Sequence, residues 1–398
     1  MIRKLLTLIS WLVAGVLLFF TARRWLFIMA ALKPDPPGST ALPSPLPHVL
    51  LLAPIRNEVW TLPDLLLALE RIDYAPERLT VVLIDDGSTD GSRMLLESWV
   101  ASKANWHALS LEQNMGKANA LNAALARFPQ GEIIAIYDAD ERPRPEALRW
   151  LVLPFADERV GGVSGRRAVS NALASPAASY TTFEGLVHQL VTMRAKDRLN
   201  LAPAILGANC AYRRAALAEA GHFKPGALLE DSDLTVKLAR AGWKVHFAPE
   251  AVSYHRVPES MAGYWRQHTR WARGFNEVAR EQAPATLLDA RLPFLLRLEL
   301  LAFALGYLDR PALALGGVLM LVDAPARRLL AGVVAVNLLT PLLQIGAALK
   351  LGREPPAMYA QIVWLPFFFG LDIAMAVMGL VNTLRQSPLF WEERGARE

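Results

Sequence analysis

With 398 residues, 53% of them hydrophobic, the chain can build one full-sized catalytic core and still have several apolar segments left over. Its net charge of +5 comes from scattered basic residues, many bordering apolar segments, which argues for membrane flanks and against a nucleic-acid surface. A lone cysteine, Cys210, excludes an intrachain disulfide and any cysteine metal cluster.

Residues 5–22, LLTLISWLVAGVLLFFTA, form an apolar run long enough to span a hydrocarbon core, with Arg3, Lys4, Arg23 and Arg24 on its flanks. A cleaved signal peptide is the competing reading. The run ends without a small-x-small site and a second apolar patch, 25–32, follows directly, so an uncleaved anchor over 1–32 fits better. Residues 33–47, KPDPPGSTALPSPLP, are too proline-rich for helix or central strand and read as a linker.

From 48 to about 140, short apolar runs alternate with helical patterns. HVLLLA (48–53), TVVLID (80–85) and EIIAIYD (132–138) have the composition of buried parallel strands. Residues 62–69, 92–100 and 118–126 carry helical apolar spacing, and the alternation predicts a doubly wound α/β sheet. Ligands of such sheets sit outside the carboxyl ends of the strands, where the polar clusters 54–58, 85–90 and 138–140 fall. Toward the C-terminus three apolar stretches follow, 294–322, 329–349 and 358–384. Arg297, Glu299, Asp309 and Arg310 interrupt the first, and Pro311 would break a straight helix there, so part of it is expected in the interface rather than across the membrane.

The chemistry-bearing residues lie at the predicted strand ends and helix starts. Asp85-Asp86-Gly87-Ser88-Thr89-Asp90 follows a strand and precedes a helix; it reads equally as a ligand loop or as a turn with a cap. Gly116-Lys117 opens a helix, where an anion can bind, though such a pair is usually only a helix start. Asp138-Ala139-Asp140 puts two carboxylates on one side of an extended chain, where they repel unless a cation such as Mg²⁺ or Mn²⁺ intervenes. Glu230-Asp231-Ser232-Asp233 begins a helix, where acids complement the macrodipole and one of them can also serve as a general base. Gln267, Arg270 and Trp271 share a helix face just before the membrane stretches. Arginine there can hold phosphate and tryptophan can stack on a sugar, or the segment is an interfacial helix with snorkelling arginines. The histidines, His188, His222, His246, His255 and His268 among them, show no metal-ligand spacing and are assigned no role.

The ordered set Pro54-Ile55-Arg56-Asn57-Glu58, Asp-Asp-Gly-Ser, Gly116-Lys117, Asp-Ala-Asp, Gly207-Ala208-Asn209, Glu-Asp-x-Asp and Gln-x-x-Arg-Trp resembles family 2 glycosyltransferases over roughly 48–280. The last motif is similar to that of processive synthases of the cellulose, chitin, hyaluronan and poly-N-acetylglucosamine type. The resemblance implies a GT-A (Rossmann-like) α/β catalytic domain over 48–285, with interfacial and transmembrane helices at 286–390. It implies that Glu58 and Asp86 hold the uridine, Lys117 and Asp138 the nucleotide, and Asp140 a Mg²⁺ or Mn²⁺ ion. Asp231 would be the general base, Gln267, Arg270 and Trp271 the rim where diphosphate and acceptor meet, and Gly207 and Asn209 the border of the acceptor sugar. Arg56 stands where relatives often have tyrosine, so an aromatic contact to the base is missing.

The function so implied is inverting transfer from a UDP-sugar to a growing glycan, by a multi-pass protein of the plasma or inner membrane with its catalytic domain in the cytoplasm. The small membrane part makes a homo-oligomer or an export partner an open question. Two alternatives stand beside this reading: transfer of one sugar to a lipid carrier or glycolipid, and a catalytically silent assembly subunit.

Overall fold

The computed structural model describes residues 2–34 and 42–385. Residues 35–41 of the expected linker and 386–390 of the expected C-terminal segment lie outside the described residues.

In chain order the described residues run α1 (Ile2–Ala31), β1 (Val49–Ile55), α2 (Leu62–Glu70), β2 (Leu79–Asp86), α3 (Ser92–Val100), β3 (Trp106–Leu111), α4 (Lys117–Arg127) and β4 (Ile133–Ile136). There follow β5 (Arg142–Pro143), α5 (Ala147–Val152), β6 (Val160–Val169), α6 (Pro176–Leu186), which widens into a π-helical stretch at Val187–Met193, and α7 (Arg194–Arg198). Strand β7 (Cys210–Arg213), α8 (Arg214–Glu219), α9 (Glu230–Arg240), β8 (Lys244–His255) and the long α10 (Met261–Leu288) complete the part that carries the sheet.

The eight strands form one sheet in the order β3-β2-β1-β4-β7-β6-β8-β5. Strands β3, β2, β1 and β4 are parallel, as the alternation predicts. The sheet then turns mixed, because β7 pairs antiparallel with both β4 and β6 while β6 and β8 are parallel. Leu50, Leu52, Val82 and Ile84 face α4 and α9 on one side; Val49, Leu51, Ala53, Val81 and Leu83 face α2 and α5 on the other. Both faces of these strands are covered, which explains runs that are apolar without alternation. Strand β3 was not expected from the sequence. It is an edge strand whose residues are mostly half-buried, so WHALSL has no continuous apolar run.

Because β2 and β3 are added on one side of β1 and β4 on the other, the order in which strands are laid across the sheet reverses between the parallel β1 and β4, and the crevice opens at their carboxyl ends. The turns after β1, β2, β3 and β4 all reach it.

Beyond α10 lie α11 (Phe294–Ala304), α12 (Asp309–Val322), α13 (Arg327–Gly352), α14 (Pro356–Ala360) and α15 (Leu365–Leu384). Among the described residues three helices are long and apolar enough to cross a membrane, at Arg3–Ala31, Arg327–Gly352 and Pro356–Thr383. The stretch expected to be irregular is: α11 and α12 meet at a 75° bend and would make a fourth crossing only if taken as one span. Pro311 ends no helix. It sits in the first turn of α12, where its missing N–H is not needed.

The first helix differs from the expected run at 5–22 with arginines as its flanks. It continues for 30 residues and carries Arg23 and Arg24 inside it. Both are neutralised from the C-terminal part, Arg23 by a two-pronged contact with Glu299 at 2.6 Å and Arg24 by Asp309. Arginines paired in this way can stay within an apolar helix.

Candidate active site

The turns after β1 and β2 are tied into one wall. The Asn57 amide donates to Ser88 Oγ (3.1 Å), the Glu58 amide to Ser92 Oγ (3.0 Å) and the Val59 amide to Asp90 Oδ2 (3.1 Å), while Asn57 Oδ1 accepts from the Thr89 amide (2.8 Å). Glu58 turns its carboxylate to the start of α2, accepting from Thr61 Oγ1 at 2.6 Å. Asp85 is buried against Arg93, whose Nε donates to it at 2.8 Å. Asp86 is also buried, and accepts from the amides of Met115 and Gly116 at 2.7 and 2.9 Å, so it holds the turn that opens α4. Gly87 makes this closeness feasible. Its φ is +68°, and a Cβ there would lie 2.6 Å from the Gln113 carbonyl carbon.

Lys117, the next residue along, is the hub. Its Nζ donates to Asp138 Oδ1 (2.6 Å) and to the Gly207 carbonyl (3.0 Å) and lies 3.6 Å from Glu230 Oε1. Burial opposes its charge, but Asp138, Glu230 and Asp231 outweigh that and raise its pKa, so it is an ammonium at any working pH.

Asp231 lies in the first turn of α9 and accepts from the Ser232 amide at 2.6 Å. Burial pushes its carboxyl up to about 6, with Glu230 adding to the shift and Lys117 and Arg270 opposing it. Gly207, again at φ +68°, lets the backbone pass so close that a Cβ would meet Asp231 Oδ2 at 2.8 Å. Thr235 pins this approach: its Oγ1 accepts from the Ile205 amide and donates to the Asp231 carbonyl. A carboxylate raised toward neutrality, beside an open backbone and a fixed ammonium, has the properties of a general base.

Behind Asp138 and Asp140 stands a pair that motif reading did not find. Glu141 is fully buried and accepts from Arg167 Nε at 2.5 Å. Burial pushes Glu141 up to about 6, against Arg167 and helped by Asp140 and Asp138. Arg167 comes from β6, so no local pattern could announce it; Glu141 directly follows the Asp-Ala-Asp motif, which was the only available signal.

The Gln-x-x-Arg-Trp face of α10 passes the start of α9. Arg270 lies 3.5 Å from the Leu228 carbonyl and acts electrostatically on Asp231. Gln267 has its side-chain oxygen buried without a hydrogen-bond partner among the described residues. Trp271 packs partly buried against the core under the sheet and meets His268 edge-on at 5.0 Å. The structure therefore brings Lys117, Asp138, Gly207, Asp231 and Arg270 together, with Asp86 joined through Gly116. Asn209 is placed elsewhere. Its side chain is 0% exposed and donates to the carbonyls of Arg166 (2.9 Å) and Ala251 (2.7 Å), so it holds β6 to β8 rather than lining the crevice.

The family model described as glycosyltransferase like family 2 matches residues 47–274, more than half of the chain and every residue of this site. The chain belongs to glycosyltransferase family 2. It is similar to the probable glycosyltransferase YdaM of Bacillus subtilis, 30% identical over 58% of this chain and 55% of that one. It is also similar to an N-acetylglucosaminyltransferase of Mesorhizobium japonicum, at 32% identity over 60% of this chain and 58% of that one. A poly-beta-1,6-N-acetyl-D-glucosamine synthase of Staphylococcus aureus matches at 25% over 72% of this chain and 66% of that one. The chain thus spans little more than half the length of the first two of these relatives. A mannosyltransferase of Pyrobaculum calidifontis, solved with GDP-Man and Mn²⁺, shares the fold, with TM-score 0.66, 23% identity, and coverage of 98% of this chain and 100% of that one. The GT-A fold expected from the motifs is therefore the fold of this family 2 transferase.

Around Lys117, Arg167 and Arg270 stand Asp138, Asp140, Glu141, Glu230 and Asp231, a set rich in the carboxylate oxygens that a hard divalent cation prefers.

Proposed function

We propose that this family 2 transferase moves a sugar from a UDP-sugar to a hydroxyl of a growing glycan, with inversion at the anomeric carbon. The observation that carries the reading is the meeting of Asp231, with its raised pKa, with Lys117, Gly207 and Arg270 at the carboxyl end of the parallel strands. Asp231 takes the proton of the acceptor hydroxyl while that oxygen bonds to the anomeric carbon and the bond to the diphosphate oxygen breaks. Arg270 meets the charge that develops on the departing diphosphate. Lys117 and Asp138 orient the nucleotide, and the wall formed by 57–58 and 86–90 receives the base and ribose. A divalent cation at Asp140 supplies Lewis-acid neutralisation of the diphosphate when bound. Gln267 and Trp271 form the acceptor rim, and Gly207 leaves room for the acceptor sugar beside the base.

The catalytic part is read as cytoplasmic, the side of the nucleotide-sugar pool. That places the N-terminus of α1 on the opposite side of a plasma or inner membrane. Transfer of a single sugar to a lipid-linked acceptor is the second reading; the three helices among the described residues that are long and apolar enough to cross a membrane favour it.

The test is release of nucleoside diphosphate by the full chain in lipid, with Mg²⁺ or Mn²⁺ and a panel of UDP-sugars plus GDP-mannose, beside Asp231→Asn. Turnover of one UDP-sugar that the substitution abolishes supports the proposal. Turnover of GDP-mannose alone would replace the base assignment, and turnover unaffected by Asp231→Asn would remove the general base.

A further inference from the structure

Between the crevice and the membrane helices lies a second cluster of charges that the transferase reading does not use. His268 is on α10, next to Gln267 and two residues before Arg270, and is 3% exposed. Its ring lies on Tyr264 with centroids 3.9 Å apart. Nδ1 is 2.9 Å from the Tyr264 carbonyl, a pure acceptor, so Nδ1 carries a proton; Nε2 is 2.7 Å from Glu184 Oε2 on α6. With Nδ1 already a donor, a close carboxylate at Nε2 makes the pair an imidazolium and a carboxylate.

The surroundings close the charge. Asp372 on α15 accepts from Tyr180 Oη of α6 (2.6 Å) and Tyr264 Oη of α10 (2.5 Å). Arg310 of α12 and Tyr307 of the α11–α12 connection line the same small void as Glu184, His268 and Asp372. Arg310 is shared with Asp309, whose Oδ1 lies 3.1 Å from it and which also pairs with Arg24, so three carboxylates are balanced by two guanidiniums and one imidazolium. Ligand atoms of Glu184, His268 and Asp372 lie within 4.8 Å of one another, a spacing that a metal could bridge. A divalent cation there would face Arg310 and displace two phenol hydrogen bonds, so the balanced set favours no metal.

We propose that the His268–Glu184 pair is a positioning device that fixes the rotation of α10, and with it Gln267, Arg270 and Trp271, against α6 and the apolar helix α15. Its catalytic consequence rests on the transferase reading; the lock itself is a property of the fold. Burial works against the imidazolium, but Glu184 and Asp372 outweigh it and raise the pKa of His268. The ion pair is therefore present at low pH and is lost as pH rises through that raised value. Above it, an imidazole lone pair faces the Glu184 carboxylate, and α10 loses its strongest polar tie to α6.

The experiment uses the full chain in lipid nanodiscs and compares wild type with Glu184→Gln and His268→Lys. Hydrogen exchange of residues 261–280, corrected for intrinsic pH dependence, is followed without donor, and kcat and KM are measured across pH. In Glu184→Gln the side-chain amide can donate to Nε2 of the neutral ring, so the alkaline fall in kcat and the onset of faster exchange in α10 should both be lost, leaving profiles flat through the pH at which wild type declines, with KM within about twofold. His268→Lys, which keeps a cation, should hold both through the pH at which wild type declines. Profiles of Glu184→Gln superposable on wild type in both readouts overturn the proposal. So does a wild type in which chelation alone loosens α10, because the cluster is then a metal site. A wild type that turns over no donor counts against the transferase reading, and exchange then decides the lock by itself.

Discussion

At the crevice, Asp138, Asp140, Glu141, Glu230 and Asp231 gather around Lys117, Arg167 and Arg270, and the acids are in excess. Under α10 and along α1, Glu184, Asp372 and Glu299 meet His268, Arg310, Arg23 and Lys196, and each carboxylate has its cation or phenol within reach. The residue types are the same in both places. A set of mostly half-buried acids that outnumbers the cations gathered with it suits a cationic ligand or metal; a balanced set ties helices together. Composition of a charged cluster therefore says less than its arithmetic.

The sharpest way to break this contrast is at its acidic pole. Asp231→Asn should lower turnover on the order of 10²–10⁴-fold while leaving the thermal midpoint unchanged, since no ion pair of the fold depends on it. Unchanged turnover would mean that the excess acid is structural after all. Chelation comes next: removing divalent cations should abolish nucleoside diphosphate release and Mn²⁺ or Mg²⁺ should restore it, with Asp140→Asn raising the metal concentration required. Arg270→Ala should cost on the order of 10²–10³-fold in kcat, and Arg270→Lys should recover only part of it, because a point charge replaces a fork.

The pH profile sharpens the contrast further. Asp231 must be ionised to accept a proton, and its carboxyl is pushed up to about 6, so kcat/KM should fall about tenfold per unit as pH drops below that value. A limb near the ordinary carboxylate range would show that Asp231 is not held in the environment described. The smallest effect is expected at the surface: Lys224 and Glu281 form an exposed pair, and Lys224→Ala should change stability by no more than about 1 kcal/mol in thermal melts.

Much of this protein was legible in its sequence for reasons that are local. Buried parallel strands must be apolar throughout, so β1, β2 and β4 announced themselves, and their ends placed Glu58, Asp86, Asp138 and Asp140 at one edge of a sheet. Lys117 and Asp231 were visible as the openings of α4 and α9. The same locality explains the failures. Strand β3 is half-exposed and has no run to read; the break expected from Pro311 is there, but the bend lies just before it, with Pro311 in the first turn of α12.

What only the tertiary structure decided are relations between distant segments. Arg167 reaches Glu141 from β6, Asn209 is consumed by the carbonyls of Arg166 and Ala251, and His268, without any motif of its own, finds Glu184, with Asp372 beside it. Arg23 and Arg24, expected at a membrane boundary, lie inside α1 because Glu299 and Asp309 are brought to them. Periodicity and motif order report what a segment must bury and where its ends lie, because those follow from its own residues. Whether a charge is spare or spent depends on partners that the fold delivers from elsewhere in the chain.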